Sequence, residues 1–104
     1  MARLIRSAQA KRDLVEILQF TKRRWGEAQA REYAALIAEA LASITMDPHC
    51  GKPRDELFPG LRAHAIRQPG RPARHIVFYR LGAPGTVELV RVLHDAMDFK
   101  KHVP

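Results

Sequence analysis

Hydrophobic positions change period along this chain of 104 residues. Behind Ser7, residues Ala10, Leu14, Ile17, Leu18, Thr21 and Trp25 recur at spacings of three and four. That places them on one helical face, with Lys11, Arg12, Glu16, Lys22 and Arg23 mostly on the other. Ser7 fits the helix N-cap, where its hydroxyl accepts a first-turn N–H. Gly26 fits a helix end or a tight interhelical turn. A second helix is predicted from Glu27 to Met46, with Ala30, Tyr33, Leu36 or Ile37, Ala40, Leu41 and Ile44 on its buried face. Its alanines favour helix and close packing. So short a link makes the two helices an antiparallel hairpin.

Asp47-Pro48 ends the second helix, because proline lacks the N–H and restrains the residue before it. Residues 48–60, rich in proline and glycine, are expected to be loop. Residues 2–6 suit a strand, as do Leu61–Arg67, Arg74–Leu81 and Thr86–Leu93, where the period drops to two or the run is continuously apolar. Residues 68–73 and 82–85 are turn-forming, so the last three strands should pair as an antiparallel meander. Ile76-Val77-Phe78-Tyr79 is apolar on both faces and should be a central strand covered on each side. Asp95 fits the cap of a last short helix, Ala96 to His102. The resulting order β-α-α-β-β-β-α predicts one α+β domain over residues 1–104, a helical hairpin packed on an antiparallel sheet. The hairpin covers one sheet face. Only the C-terminal segment is left to cover the other, a shortage that predicts a protein partner.

Charge sharpens this expectation. Residues 1–47 hold eight basic and six acidic side chains, whereas residues 48–104 hold ten and five, and arginine supplies 13 of the 18 cations. A basic sheet half implies an anionic partner: nucleic acid, an acidic protein segment, or both. The single cysteine, Cys50, excludes an internal disulfide and fits a reducing compartment. The N-terminus lacks the apolar core of a secretory signal, and no window approaches the roughly 18 apolar residues of a membrane span. These features point to the cytoplasm and away from membranes.

No phosphate-binding glycine loop, HExxH or paired-cysteine motif is present, and adjacent His49-Cys50 make a poor chelate, so neither metal nor cofactor is expected. Cys50 with a histidine is a formal nucleophile pair, but a lone cysteine in a Pro/Gly loop fits a structural or incidental role better. The informative group is basic: Arg62, Arg67, Arg74, Arg80 and Arg91 with His64, His75 and His94. By strand alternation Arg62, His64 and Ile66 share a face, Arg80 lies with Ile76 and Phe78, and Arg91 lies with Val87, Leu89 and Leu93. An arginine among apolar neighbours needs a partner. Arg91 is either a structural ion pair, to Glu88, Asp95 or Asp98, or part of a binding site. His94 ends its strand at a position that can face a cleft or serve the fold.

Ordered fragments along nearly the whole chain resemble the ParE branch of the ParE/RelE toxin superfamily. They are Ala10…Asp13-Leu14, Trp25-Gly26…Ala30…Tyr33, Leu41…Asp47-Pro48…Gly51-Lys52-Pro53-Arg54, Leu57…Gly60-Leu61-Arg62, and Ile76-Val77-Phe78-Tyr79-Arg80. The last, Val90-Arg91-Val92-Leu93-His94-Asp95-Ala96-Met97-Asp98, is the most specific. The resemblance implies a toxin that inhibits DNA gyrase and forms a hetero-oligomer with a ParD-like antitoxin, touching DNA only through that partner. It implies target or antitoxin contacts among Arg62, Arg67, Arg74, Arg80, Arg91 and His94, and antitoxin cover over Leu14, Leu18, Trp25, Tyr33, Ile37 and Phe99. The RelE branch instead cleaves messenger RNA on the ribosome, which needs a base, phosphorane-stabilising cations and an acid. Arg74, Arg80, Arg91 and His94 would be the set here. After His94 come Asp95, Ala96, Met97 and Asp98, with no Tyr to complete the acid–base set that RelE-like nucleases place near their C-terminus, which favours the gyrase reading. A non-toxic module that only binds an antitoxin is the third alternative.

Overall fold

The computed structural model describes residues 1–103. Strand β1 (Arg3–Arg6) leads into helices α1 (Ala8–Trp25) and α2 (Glu27–Met46). Strands β2 (Lys52–Pro53), β3 (Arg62–Ala65), β4 (His75–Leu81) and β5 (Thr86–His94) follow, then one 3-10 turn, Phe99–Lys101. The Ser7 hydroxyl accepts the Ala10 N–H at 2.9 Å and donates to the Val90 carbonyl at 2.8 Å, so the cap also fastens α1 to β5. Gly26 alone separates the helices. Its φ of +95° lies in the left-handed region that glycine tolerates, and α2 packs back along α1.

The sheet order is β1-β5-β4-β3-β2. The expected meander is present in β3, β4 and β5, extended at one edge by two residues, Lys52–Pro53, from the segment expected to be loop. β1 pairs with β5 in parallel, Leu4 opposite Val87 and Arg6 opposite Leu89, so the sheet is mixed. Short turns fix only the relative direction of strands they join. β1 returns to the sheet through the helical hairpin, which leaves its direction free.

Two apolar clusters hold the sheet. On the helical side, Ala10, Tyr33, Ile37, Ala40, Leu41 and Ile44 meet Ile66, Val77, Tyr79, Val87, Leu89 and Val92. Each large side chain so buried contributes about 2 kcal/mol. On the other side Leu61, Phe78 and Leu93 are buried under Leu57, Phe58, Phe99 and Val103. The second face is therefore better covered than expected, because the 54–61 segment folds over it together with the C-terminus. Phe99 stacks edge-on against Phe78, centroids 4.9 Å apart. The expected helix over Ala96–His102 shrinks to the Phe99–Lys101 turn. Asp95 does not cap it; Asp98 precedes it without a side-chain hydrogen bond.

Gly51 is required by packing. It is buried, its N–H donates to the Tyr79 hydroxyl at 2.8 Å, and a Cβ there would run into the Tyr79 ring. Tyr79 in turn donates to the Pro48 carbonyl at 2.8 Å, so the buried phenol anchors the chain leaving α2.

Arg91 departs most from the alternation pattern. Phe78 faces Arg91 while Tyr79 faces Leu89, leaving Val90 unpaired in a bulge. Val87 and Leu89 thus lie in the helical-side cluster but Leu93 in the other, and Arg91 is turned toward α1. Its Nε and Nη2 donate to the two Asp13 carboxylate oxygens at 2.8 and 2.9 Å, and Nη1 donates to the His102 carbonyl at 3.0 Å. Asp13, not Glu88, Asp95 or Asp98, is the partner. The same carboxylate accepts the Val92 N–H at 2.9 Å. Asp13 is 8% exposed, and its carboxylate holds the Arg91 guanidinium protonated beyond its ordinary range. Asp13→Ala should cost about 3 kcal/mol in urea unfolding, because it strands a largely buried cation and a buried N–H. A loss below about 1 kcal/mol would show that solvent replaces the pair.

Candidate functional site

A cleft of about 660 Å³ opens between the helical hairpin and the β3–β4 turn. One wall is a stripe of α1 that includes Phe20, Arg24 and Trp25; α2 contributes Tyr33 and the sheet contributes Arg74, His75 and His94. Phe20 and Arg24 lie four residues apart, which puts them on one surface of the helix, and Trp25, the last residue of α1, lines the same cleft. At the floor the Tyr33 hydroxyl lies 2.7 Å from His75 Nδ1. The His75 ring meets the His94 ring nearly edge-on, centroids 5.3 Å apart. His94 Nδ1 accepts the Ala96 N–H at 3.1 Å.

Burial sets the protonation of this floor. It lowers His75 to about 4, helped by neighbouring His94 and Arg74, and it raises Tyr33 to about 12 against the pull of Arg74. Near neutral pH the pair is an uncharged hydrogen bond, not an acid–base couple. The His75 pKa is depressed below its ordinary 6.5, so the unfolded chain takes up the proton first. The stability due to neutral His75 is complete above about pH 6.5 and is lost as pH falls toward 4. Lowering the pH from about 7 to about 4.5 should therefore destabilise the wild type more than His75→Gln, by about 2 kcal/mol after solvent screening of this partly exposed ring. Equal losses in denaturant melts would contradict the assignment.

The basic residues singled out from the sequence do not converge. Arg62 shares its face with His64 and Ile66 as expected, but it serves the fold, donating to the Gly51 and His49 carbonyls at 3.1 and 2.9 Å. Arg67 is exposed beyond β3. Arg80 pairs with Glu88 across the strands at 2.9 Å, and Arg91 is held by Asp13. Both line a separate groove near β1 and the C-terminus, whereas Arg74 and His94 line the cleft. His64 sits 3.8 Å from the Cys50 thiol, and burial lowers the pKa of His64. Among the described residues no group of His, Cys, Asp and Glu is arranged to hold a metal, and no helix is long and apolar enough to cross a membrane.

The apolar residues expected under a partner divide in the same way. Tyr33 and Ile37 are buried in this chain's own core, and Leu14 and Leu18 pack against it. Phe99 covers the second sheet face. They are occupied because the hairpin spends those faces on the sheet. Trp25 remains open at 55% exposure, joined by Phe20 at 55% and Val15 at 54%. Arg24, Arg71 and Phe20 were not singled out from sequence; the four-residue spacing of Phe20 and Arg24 was the available signal for those two.

A two-helix hairpin packed on a mixed sheet, with a basic cleft at its side, places the molecule in the RelE/ParE-like α+β class. A chain of the structure described as "Chromosomal ParDE TA system from P. aeruginosa" superposes with a TM-score of 0.74 over 90% of this chain and 96% of that one, at 18% identity. The family model described as ParE toxin of type II toxin-antitoxin system, parDE, matches residues 4–99. Toxin ParE1 of Caulobacter vibrioides is 36% identical, covering 93% of each chain. Toxin ParE1 of Mycobacterium tuberculosis is 33% identical over 98% of each, and Toxin ParE of Escherichia coli is 37% identical over 94% of this chain and 89% of its own. The chain belongs to the ParE toxin family of type II toxin–antitoxin systems.

Proposed function

We propose that this toxin acts by inhibiting DNA gyrase through its surface and is neutralised by a ParD-like antitoxin. The observation that carries the reading is the division of the four residues an RNA-cleaving mechanism would use. Arg80 and Arg91 are engaged by Glu88 and Asp13 in one groove, while Arg74 and His94 lie in the other. General acid–base cleavage needs base, acid and phosphate-stabilising cations around one phosphodiester. The one buried imidazole–phenol pair is neutral and bonded to itself. Inhibition of a protein target asks only for a rigid surface of the right shape and charge.

The antitoxin reading rests on apolar side chains that α1 leaves exposed. Phe20 and Trp25 are open on the cleft side, close to Lys22, Arg23 and Arg24 in the last turn, and Val15 is open elsewhere on the helix. An acidic, amphipathic segment ordering over the Phe20–Trp25 surface would cover it and neutralise the cations. The cytoplasm, where gyrase acts, is the compartment this reading requires.

Expression of the toxin alone should arrest growth and induce DNA-damage signalling, and purified toxin should reduce supercoiling by gyrase and trap cleaved DNA. Co-expression of the antitoxin should restore growth. Unaltered supercoiling together with site-specific messenger RNA cleavage on ribosomes would replace this reading with the RelE one.

A further inference from the structure

Three features of the cleft bear on what it can hold. Arg24, Arg71 and Arg74 reach it from α1, from the β3–β4 turn and from the start of β4. None of the three forms an ion pair among the described residues. Glu16 is the only carboxylate lining the cleft. Guanidiniums gathered without matching carboxylates repel one another and are stabilised by an anion, and their planar forks suit phosphate. The second feature is the wall. Phe20 and Trp25 are each 55% exposed, and the Arg24 guanidinium lies over the Trp25 ring, 5.3 Å from its centroid. Exposed rings beside cations form a stacking surface for a flat, polar ring. The third is the floor, where the mutually bonded Tyr33–His75 pair gives a polar surface without a fixed charge and the Gln68 amide lies at its side.

We propose that this cleft binds a nucleotide, its base stacked on the Phe20–Trp25 wall and its phosphate held by Arg71 and Arg74. The volume of about 660 Å³ suits a ligand of that size. An acidic peptide would satisfy the arginines but would leave the stacking wall and the neutral polar floor without matching groups. A free nucleoside phosphate and an unpaired nucleotide in a single strand present the same chemistry. Either would compete with an antitoxin segment reaching Trp25, which makes the cleft a point where nucleotide and antitoxin exclude one another.

Trp25 is the only tryptophan, so its fluorescence reports directly on the wall. The full chain is titrated with ATP, an eight-residue oligodeoxythymidine, inorganic tripolyphosphate and a Glu/Leu amphipathic peptide, with calorimetry in parallel. At least one nucleotide source should quench Trp25 saturably, with tripolyphosphate binding at least about tenfold more weakly. Stronger binding of the oligonucleotide assigns the site to a strand; stronger binding of ATP assigns it to free nucleotide. Arg71→Ala and Arg74→Ala should each weaken binding about tenfold. Arg71 is exposed in its turn and uses only its backbone N–H there, to the Gln68 carbonyl at 3.1 Å, so its variant keeps the fold, as circular dichroism would verify. No saturable quenching by either nucleotide source overturns the proposal. Equal binding of tripolyphosphate reduces the site to a bare anion patch, and response to the peptide alone makes it a protein-docking face; both also overturn it. The binding readout is independent of toxicity, so its failure leaves the gyrase reading to its own test.

Discussion

The Asp13 carboxylate is the constraint on which the rest of the molecule depends. β1 has four residues and β5 has nine, so β1 covers only the first part of the β5 edge. Beyond Arg6 that edge would be open, and an open strand edge is both unsatisfied and prone to pairing with other chains. Two side chains of the α1 start close it. Ser7 takes the Leu89 and Val90 carbonyls through its N–H and hydroxyl, and Asp13 takes the Val92 N–H. The bulge at Val90 lets Arg91 reach the same carboxylate and tie the C-terminal segment through the His102 carbonyl. One short acidic side chain thereby joins the helical hairpin, the longest strand and the chain end.

This closure decides what the surface can do. In the groove near β1, Arg91 is committed to Asp13 and Arg80 to Glu88. In the cleft, by contrast, Arg24, Arg71 and Arg74 meet an aromatic wall without an ion pair among the described residues. The molecule sets an ion-paired edge that holds the fold apart from a basic, aromatic cleft.

Local signals in the sequence were legible because they act over a few residues. The Ser7 cap, the Gly26 turn, the Pro48 stop and the double-sided apolar run at residues 76–79 all appear where the pattern placed them. Non-local features were not. The parallel pairing of β1 depends on where the helical hairpin, residues 8–46, and the strands after it return the chain. The Arg91 partner lies 78 residues away, outside any window that periodicity can use. The bulge at Val90 inverts the expected face of every later position in β5, which is why Arg91 and Leu93 part from Val87 and Leu89. The cleft was half legible. His75, His94 and Arg74 were singled out by type, but Arg24 and Arg71 join them only through the packing of α1 beside the β3–β4 turn.

Whether Asp13 closes the β5 edge as part of the global fold is read from amide hydrogen exchange at Val92. With the edge closed, the Val92 N–H exchanges as slowly as the amide of Val77 in the central strand, through global unfolding alone. Exchange at Val92 on the faster scale of a fraying edge strand, with Val77 still protected, would contradict that closure.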